Sequence, residues 1–317
     1  MGIQYLNTYI KNNTTSKSIR KISFNELKNK VIAVDISIYL YKFMNDDLLI
    51  VNIYHMLSIF VYYDINAIFV FDGKPPLEKK ELLEKRVIDK IKARVKYQEL
   101  EKHLSTCDNY EKEEIREIQE SMTSLKKKFN KLKYSDIKKV KELISAFGYT
   151  YIQADSEADI ICGKMVTKNI AYACLSEDMD MFLYGCHRVI RYLSLLNHSA
   201  IMYDLKNILI ELNLTFKEFK EICIISGTDY NSEKNKINLY DAINLHNRFK
   251  ETKSKDFYEW LDNTTDYIDN VYILYNIYNM FLMENIVLKE YCINFKKKEI
   301  NFGLIKEIMI PEGFIFL

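Results

Sequence analysis

The chain is poor in the residues that interrupt regular structure: its 317 residues include only three prolines and eight glycines. No segment rich in proline, glycine and serine divides it, so there is little room for a disordered linker. Because 48% of the residues are hydrophobic, the chain can bury a core of substantial size. We therefore expect a compact globular protein built around one main core with long insertions.

Paired cysteines and membrane segments are also lacking. The six cysteines form no CxxC pair and mostly lie in apolar runs, which predicts reduced thiols buried in an intracellular, reducing compartment. No apolar run approaches the roughly 18 residues that a membrane span needs, and the N-terminus has no signal-type apolar segment. We expect a soluble protein without membrane contact. The richness in Ile, Lys, Asn and Tyr favours an AT-rich genome, such as that of a virus.

Neither sign of charge predominates, since the formal net charge is only +1. This excludes nucleic-acid binding through overall basicity, but it leaves room for an acidic site beside a basic surface. The charges are indeed segregated between residues 77 and 147, where two lysine-rich stretches flank an acidic one at 108–120. A solvated, coiled-coil-like hairpin is the ordinary interpretation of such a segment. The alternative is a basic surface along which a phosphate backbone passes.

Short apolar runs predict the fold. Four of them, at 30–35, 67–72, 149–155 and 169–178, are separated by stretches long enough for crossover helices, such as 50–63 and 156–167. This pattern is typical of parallel strands buried on both faces. Runs at 188–193 and 200–204 predict a further strand pair, and the chain from Leu205 onward favours helices. The predicted fold class is α/β, with a central, mostly parallel twisted sheet flanked by helices.

Each of the first four runs ends at, or leads to, an acidic residue: Asp35, Asp72, Glu157 and Asp178. Ligands of open parallel sheets bind outside the carboxyl ends of the strands, so these acids are expected to converge at one edge. The alternative is that each acid only caps a helix or stabilises a turn.

Seven acids make up the full candidate set: Asp35, Asp72, Glu157, Asp159, Asp178, Asp180 and Asp229. A site of carboxylates without His or Cys favours hard cations such as Mg²⁺ or Mn²⁺ over Zn²⁺. Asp178 and Asp180 are two residues apart, so an extended segment presents both on one side. Without cations, so many like charges would repel one another and raise one another's pKa.

These residues lie in segments that resemble the flap endonuclease family of XPG-like 5′ nucleases. In family order the chain contains MGIQYL, VDISIYLYKF, FDGKPP, SEAD, SEDMDMFLYG and EICIISGTDY. The resemblance implies a PIN-like 5′-nuclease fold with a core at 1–245, which includes a helical arch at 77–147 and a degenerate helix-turn-helix unit at about 226–250. It further implies a helical C-terminal extension at 246–317 that packs on the core.

By the same resemblance, the seven acids correspond to ligands of two Mg²⁺ ions, for which Mn²⁺ can substitute. Asp159 stands where the family usually has Glu. Lys79 and Arg86 match the catalytic lysine and arginine at the base of the arch, although a solvated helix face is the alternative. Tyr41 matches a ring that stacks on a nucleobase, with a core position as the alternative. Gly2 and Lys74 are also expected to contact nucleic acid.

The chain departs from the family in the helix-turn-helix unit. Lys236, Asn238 and Leu239 replace the glycines and proline of the usual turn, so binding of duplex DNA there is in doubt. Lys234 and Lys236 are candidates for electrostatic compensation. The last residues, IPEGFIFL, contain no QxxLxxFF-type segment, so we expect no sliding-clamp binding through a C-terminal motif.

The resemblance implies a structure-specific 5′ flap endonuclease with 5′–3′ exonuclease activity, which cuts DNA by two-metal hydrolysis in replication, repair or recombination. Its expected partner is DNA with 5′ flaps or single-strand/duplex junctions. We expect a monomer in the nucleus, or in the cytoplasm if the chain is viral. A processive 5′–3′ exonuclease and a junction resolvase on the same fold are alternatives. A catalytically silent scaffold that binds nucleic acid is another, but a scaffold has no need of all seven acids.

Overall fold

One seven-stranded sheet forms the centre of the protein. The computed structural model describes residues 3–106, 112–231, 237–268, 270–283, 286–288 and 298–316. The strands are β1 Ile19–Ser23, β2 Val31–Asp35, β3 Asn66–Phe71, β4 Thr150–Gln153, β5 Ala173–Leu175, β6 Arg188–Ser194 and β7 Ser199–Asp204. They lie side by side in the order β1-β7-β6-β5-β2-β3-β4.

The sheet is parallel from β4 through β3, β2 and β5 to β6, and β7 and β1 then join it antiparallel. The prediction of a mostly parallel α/β sheet is thus confirmed, as is the strand pair β6–β7. Strand β1 was not predicted. It is an edge strand of sequence IRKIS in which only Ile22 is buried, so it lacks the continuous apolar run that marks the central strands.

Both faces of the sheet are buried. Along β2, Ala33 packs into one hydrophobic core, whereas Ile32 and Val34 pack into the other. In β3, Ile68 packs into the same core as Ala33, and Phe69 packs into the other. Because neighbouring side chains of a strand point to opposite faces, a strand covered on both sides must be apolar at every position. This is the physical reason why the central strands could be predicted from uninterrupted apolar runs.

Helices cover the two faces and continue into the C-terminal region. In chain order they are α1 Leu6–Asn13, α2 Ile36–Asn45, α3 Leu49–Tyr62, α4 Lys80–Thr106, α5 Lys112–Phe129, α6 Tyr134–Ala146, α7 Ala158–Thr167, α8 Leu205–Glu211, α9 Phe216–Ser226, α10 Leu239–Lys250, α11 Phe257–Thr264, α12 Val271–Met280 and α13 Phe302–Met309. Helices α3 and α7 match the predicted crossover helices. Among the described residues, no helix combines the length and apolarity needed to cross a membrane.

Helices α4 and α5 form a long pair that is mostly exposed to solvent. Within it, Ala93 and Leu125 are buried, and the rings of Tyr97 and Phe129 meet edge to face with their centroids 5.4 Å apart. The predicted arch extended to residue 147, but α6 buries Val140, Leu143 and Ile144 in the core under the sheet. The exposed pair therefore ends at Phe129, because the apolar face of α6 packs into the core under the sheet.

The C-terminal helices divide between the two faces of the sheet. Helices α9 to α12 belong to one core, whereas α13 contributes Ile305, Ile308 and Met309 to the other, where it packs against α6. The predicted boundary at residue 245 falls inside α10, and α9 and α10 pack together as a helix pair.

Candidate active site

The elements bring the seven acidic residues to the carboxyl edge of the sheet. Asp35 is the last residue of β2, and Asp72 directly follows β3. Glu157 and Asp159 lie at the start of α7, and Asp229 follows α9. Asp178 and Asp180 lie after β5, where a short 3₁₀ helix spans Met179–Phe182. The edge predicted from topology is therefore where the structure places these acids.

Burial and mutual repulsion raise the pKa of several of these carboxylates. Burial, and then the charge of Asp72, raises the pKa of Asp35 well above its usual range. Burial also raises the pKa of Asp180, and the charges of Asp178 and Asp229 raise it further. Acids that are distant in sequence thus share one electrostatic environment, and such an environment favours the binding of cations.

Asp159 belongs to the same acidic cluster. Burial raises its pKa well above the usual range, and the charges of Asp35 and Asp178 raise it further. The shorter side chain at this position, Asp instead of Glu, therefore still lies within the cluster.

Hydrogen bonds fix several of the acids, partly in the capping roles that were the alternative interpretation. The Ser176 hydroxyl donates to Asp35 at 3.0 Å. Asp72 accepts from the backbone N–H of Ala158 at 2.8 Å, at the start of α7. Asp178 accepts from the backbone N–H of Asp180 at 3.0 Å. The acids can therefore cap and cluster at once, because one carboxylate oxygen can accept from a backbone N–H group while the other remains available to a cation.

Two basic residues from the start of the exposed helix pair reach into the acidic cluster. The Lys79 ammonium donates to Glu157 Oε1 at 2.6 Å and lies 3.9 Å from Asp229 Oδ2. The Arg86 guanidinium lies 3.2 Å from the same oxygen of Asp229. Lys79 is only 8% exposed, which contradicts a solvated face for this residue, whereas the side chain of Arg86 is 43% exposed.

Two tyrosines near Glu157 were missed in the sequence. The Tyr230 hydroxyl donates to Glu157 Oε2 at 2.7 Å, and its oxygen lies 3.2 Å from the hydroxyl of Tyr184. Burial raises the pKa of Tyr230, and the negative charge of Glu157 raises it further. Both tyrosines stand in motifs singled out for their acids, and the position of Tyr230 directly after Asp229 was the available signal.

Comparisons with known proteins identify the family. A family model for the XPG N-terminal domain matches residues 1–93, and one for the XPG I-region matches residues 148–229, together more than half of the chain. The chain belongs to the XPG-like flap endonuclease family. It is 28% identical to flap endonuclease 1 of Methanococcus aeolicus over 331 residues, which cover 99% of this chain and 90% of that protein.

Solved structures support the same fold for this family member. The catalytic core of Rad2 in complex with a DNA substrate has a TM-score of 0.69 at 20% identity, and the match covers 98% of this chain and 95% of that one. Human GEN1 in complex with Holliday junction DNA has a TM-score of 0.64 at 16% identity, with coverage of 98% and 74%. At these identities the likeness concerns the fold, and the predicted 5′-nuclease fold is confirmed.

The acidic cluster of this family member suits a hard cation by its chemistry. All seven candidate ligands are carboxylates, and Asp180 is only 3% exposed with its Oδ1 atom unpartnered among the described residues. A buried carboxylate oxygen without a partner is costly unless a cation binds it. No three His, Cys, Asp or Glu side chains in the described ranges are already arranged to hold a metal ion. Two of the seven acids instead pair with Lys79 and Arg86.

The remaining candidate residues lie at the surface or outside the described residues. Tyr41 is 48% exposed on α2, so it is not a core residue, and Lys74 is exposed beside Gly73. Gly2, Lys234 and Lys236 lie outside the described residues. Asn238 has a φ of −84°, and its side chain accepts from the backbone N–H groups of Tyr240 and Asp241, which caps α10.

Proposed function

We propose that this protein is a divalent-metal-dependent 5′ nuclease that cuts DNA flaps near the junction of single strand and duplex. The observation that carries the proposal is the convergence of seven carboxylates at one sheet edge, with Lys79 and Arg86 reaching the same place from the exposed helix pair. Acids that bind metal ions, next to cations that bind phosphate, are the two parts that hydrolysis of a phosphodiester needs.

We assign the binding of two Mg²⁺ ions to the carboxylates, with Mn²⁺ as a substitute. A solved structure of the Holliday junction-resolving enzyme GEN1, which shares the fold, is in complex with product DNA and a Mg²⁺ ion. The residues that would hold the ions are Asp35, Asp72, Glu157, Asp159, Asp178, Asp180 and Asp229. When bound, the ions would supply an activated water and neutralise charge on the scissile phosphate.

The basic residues of the chain orient the phosphate. The half-exposed guanidinium of Arg86 can bind two phosphate oxygens at once, which fixes the orientation of the phosphate. Lys79 supplies a compact positive charge from a buried position, and this charge stabilises negative charge that develops during cleavage. For both residues, binding the phosphate means giving up the present ion pairs with Glu157 and Asp229.

The surroundings of the site suit DNA. Lysine and arginine crowd the first turns of α4, directly after Lys79, and the last turn of α5 carries Lys126, Lys127 and Lys128. These charges can contact a phosphate backbone as it approaches the acidic cluster. Tyr41 offers an exposed ring on α2, the helix that begins next to Asp35, and such a ring can stack on a base.

A junction resolvase is the second candidate function. The likeness in fold to human GEN1, solved in complex with Holliday junction DNA, covers 98% of this chain. The sequence before α10, with Lys236, Asn238 and Leu239 in place of glycines and proline, also departs from that of a flap enzyme. We rank this candidate second because the curated relative that matches 99% of the chain is a flap endonuclease 1.

Cut-site mapping distinguishes these functions. The purified full chain is incubated with end-labelled flap, nicked, gapped and four-way-junction DNA in Mg²⁺ or Mn²⁺, with the variant Asp180→Asn as control. We expect the main cut within a few nucleotides of the flap junction, with weaker shortening from the 5′ end. Paired symmetric cuts in the four-way junction, without flap cutting, would establish the resolvase instead. A folded protein that cuts none of these substrates would refute the nuclease proposal.

A further inference from the structure

Two tyrosine hydroxyls form a chain that ends on Glu157. Tyr230 donates its only hydroxyl proton to Glu157 Oε2 at 2.7 Å. The hydroxyl of Tyr184, 3.2 Å from that of Tyr230, must therefore donate to the oxygen of Tyr230. The hydrogen bonds thus run in one direction, from Tyr184 through Tyr230 to the carboxylate.

The surroundings hold both rings in place. Phe281 packs against the ring of Tyr184 with centroids 4.9 Å apart and against that of Tyr230 at 5.6 Å. Gly163 lies under Tyr184, where an added Cβ atom would come within 2.9 Å of the tyrosine Cβ. The two hydroxyls therefore have little freedom to move away from Glu157.

The backbone that carries Tyr230 is fixed as well. Asn231 Oδ1 accepts from the backbone N–H of Thr228 at 2.7 Å, and Asn231 Nδ2 donates to the carbonyl of Ile224 at 2.8 Å. The backbone N–H of Tyr230 donates to the Thr228 hydroxyl at 3.2 Å. This closed turn links the end of α9 to the tyrosine, so the position of the hydroxyl is set by the fold.

The two oxygens of Glu157 have different kinds of partner. Oε1 accepts from the Lys79 ammonium at 2.6 Å, and that ammonium also lies 4.8 Å from the centre of the Tyr230 ring. Lys79 is mounted on a long flexible stem, whereas the Tyr230 hydroxyl is held by a rigid ring. The hydrogen bond to Oε2 can therefore persist when Oε1 exchanges its cation.

We propose that Tyr230 is a positioning residue, supported by Tyr184, which holds Glu157 through Oε2 so that Oε1 can exchange the Lys79 ammonium for a divalent cation. This inference rests on the proposed function in one respect, since it assigns Glu157 to the metal site. It assigns no contact with DNA to either tyrosine. Loss of a group that orients a metal ligand through a hydrogen bond typically lowers metal affinity by roughly 10–100-fold.

The test compares Tyr230→Phe with Tyr258→Phe as the matched control. Tyr258 is also a buried tyrosine, but its hydroxyl has no hydrogen-bond partner among the described residues, so its loss should leave the site intact. Mn²⁺ binding is measured by titration calorimetry without DNA, and flap cleavage is measured as a function of Mg²⁺ concentration. We expect Tyr230→Phe to weaken Mn²⁺ binding about 10-fold and to raise the half-saturating Mg²⁺ concentration similarly, with unchanged DNA affinity. The control should match the wild type.

The double variant tests the order of the chain. If Tyr184 acts only through Tyr230, Tyr184→Phe weakens Mn²⁺ binding by less than Tyr230→Phe, and the double variant behaves like Tyr230→Phe alone. A folded Tyr230→Phe protein with wild-type Mn²⁺ affinity would overturn the proposal, as would a wild type that binds no Mn²⁺. If the wild type binds Mn²⁺ and the variant binds it more weakly while neither cuts a flap, the positioning role stands and the proposed activity fails.

Discussion

Lys79 and Glu157 form a partly buried ion pair, with 2.6 Å between ammonium and carboxylate oxygen, although they lie 78 positions apart in the chain. The pair connects the base of the exposed helix pair to the start of α7. Lys79 therefore pairs with one of the carboxylates that we assign to metal ions. On this assignment a metal ion would compete with the Lys79 ammonium for Glu157, and Lys79 would then be able to contact the phosphate.

Replacing Lys79 should lower both the rate of cleavage and the stability of the metal-free protein. We expect Lys79→Met to slow flap cleavage under single-turnover conditions by about 100-fold, because a charge that stabilises the transition state is lost. Without metal ions the variant should also be less stable to urea by about 1–3 kcal/mol, because Glu157 loses a charged partner. The matched control is Lys28→Met, since the Lys28 side chain is 62% exposed and precedes β2, at the opposite end of that strand from Asp35. Equal rates for the two variants would contradict the role of Lys79.

Removing the charge of Asp180 should have opposite effects on activity and on stability. Its buried carboxylate repels Asp178 and Asp229, and its Oδ1 atom has no partner among the described residues. We expect Asp180→Asn to reduce cleavage at least about 100-fold while leaving DNA binding largely intact. In EDTA its melting temperature should be higher than that of the wild type. Asp262→Asn, a change on the exposed side of α11, is the control for charge. A lower melting temperature for Asp180→Asn in EDTA would contradict the account of a repulsive acidic cluster.

Gly73 is needed for the backbone to approach closely beside Asp72. An added Cβ atom would collide with the carbonyl oxygens of Ala154 and Asp155. Gly73→Ala should therefore move the segment after β3 and displace Asp72, with a loss of about 1–3 kcal/mol in the free energy of unfolding and a marked loss of cleavage. Gly303→Ala is the control, because its Cβ would meet no atom nearer than 3.4 Å. Urea unfolding of both variants checks this, and equal stabilities would contradict it.

Tyr41 should contribute to DNA binding through its ring. Its 48% exposure leaves the ring available to a base. In the Asp180→Asn background, which prevents cutting, we expect Tyr41→Ala to weaken binding of flap DNA about 10-fold, in line with the loss of one base stack. Tyr41→Phe keeps the ring and should bind like the parent. Fluorescence anisotropy with labelled DNA measures both, and equal affinity for the alanine variant would remove Tyr41 from the interface.

The sequence predicted most of the sheet, because strands buried on both faces must be apolar throughout. It did not predict β1, whose exposed edge position permits Arg20 and Lys21. The position of Asp35 and Asp72 at the sheet edge could be predicted because the carboxyl ends of parallel strands meet there. The role of the acids as metal ligands stays a prediction. Tyr184 could not be predicted, since a tyrosine in an apolar run looks like a core residue until its hydroxyl is placed beside a partner. For Tyr230 the available signal was its position directly after Asp229. The end of the exposed helix pair was also missed, because α6 shares the lysine-rich composition of that segment while burying one apolar face.

The central claim is that the seven carboxylates bind a pair of divalent ions, and anomalous scattering from crystals soaked in Mn²⁺ tests it most directly. The account predicts two anomalous peaks about 4 Å apart, each within coordination distance of oxygens from the seven acids, with Asp180 among them. Lys79 should then no longer contact Glu157. Crystals that bind Mn²⁺ only elsewhere, or that retain the Lys79–Glu157 pair with the acids free of metal at saturating Mn²⁺, would contradict the account.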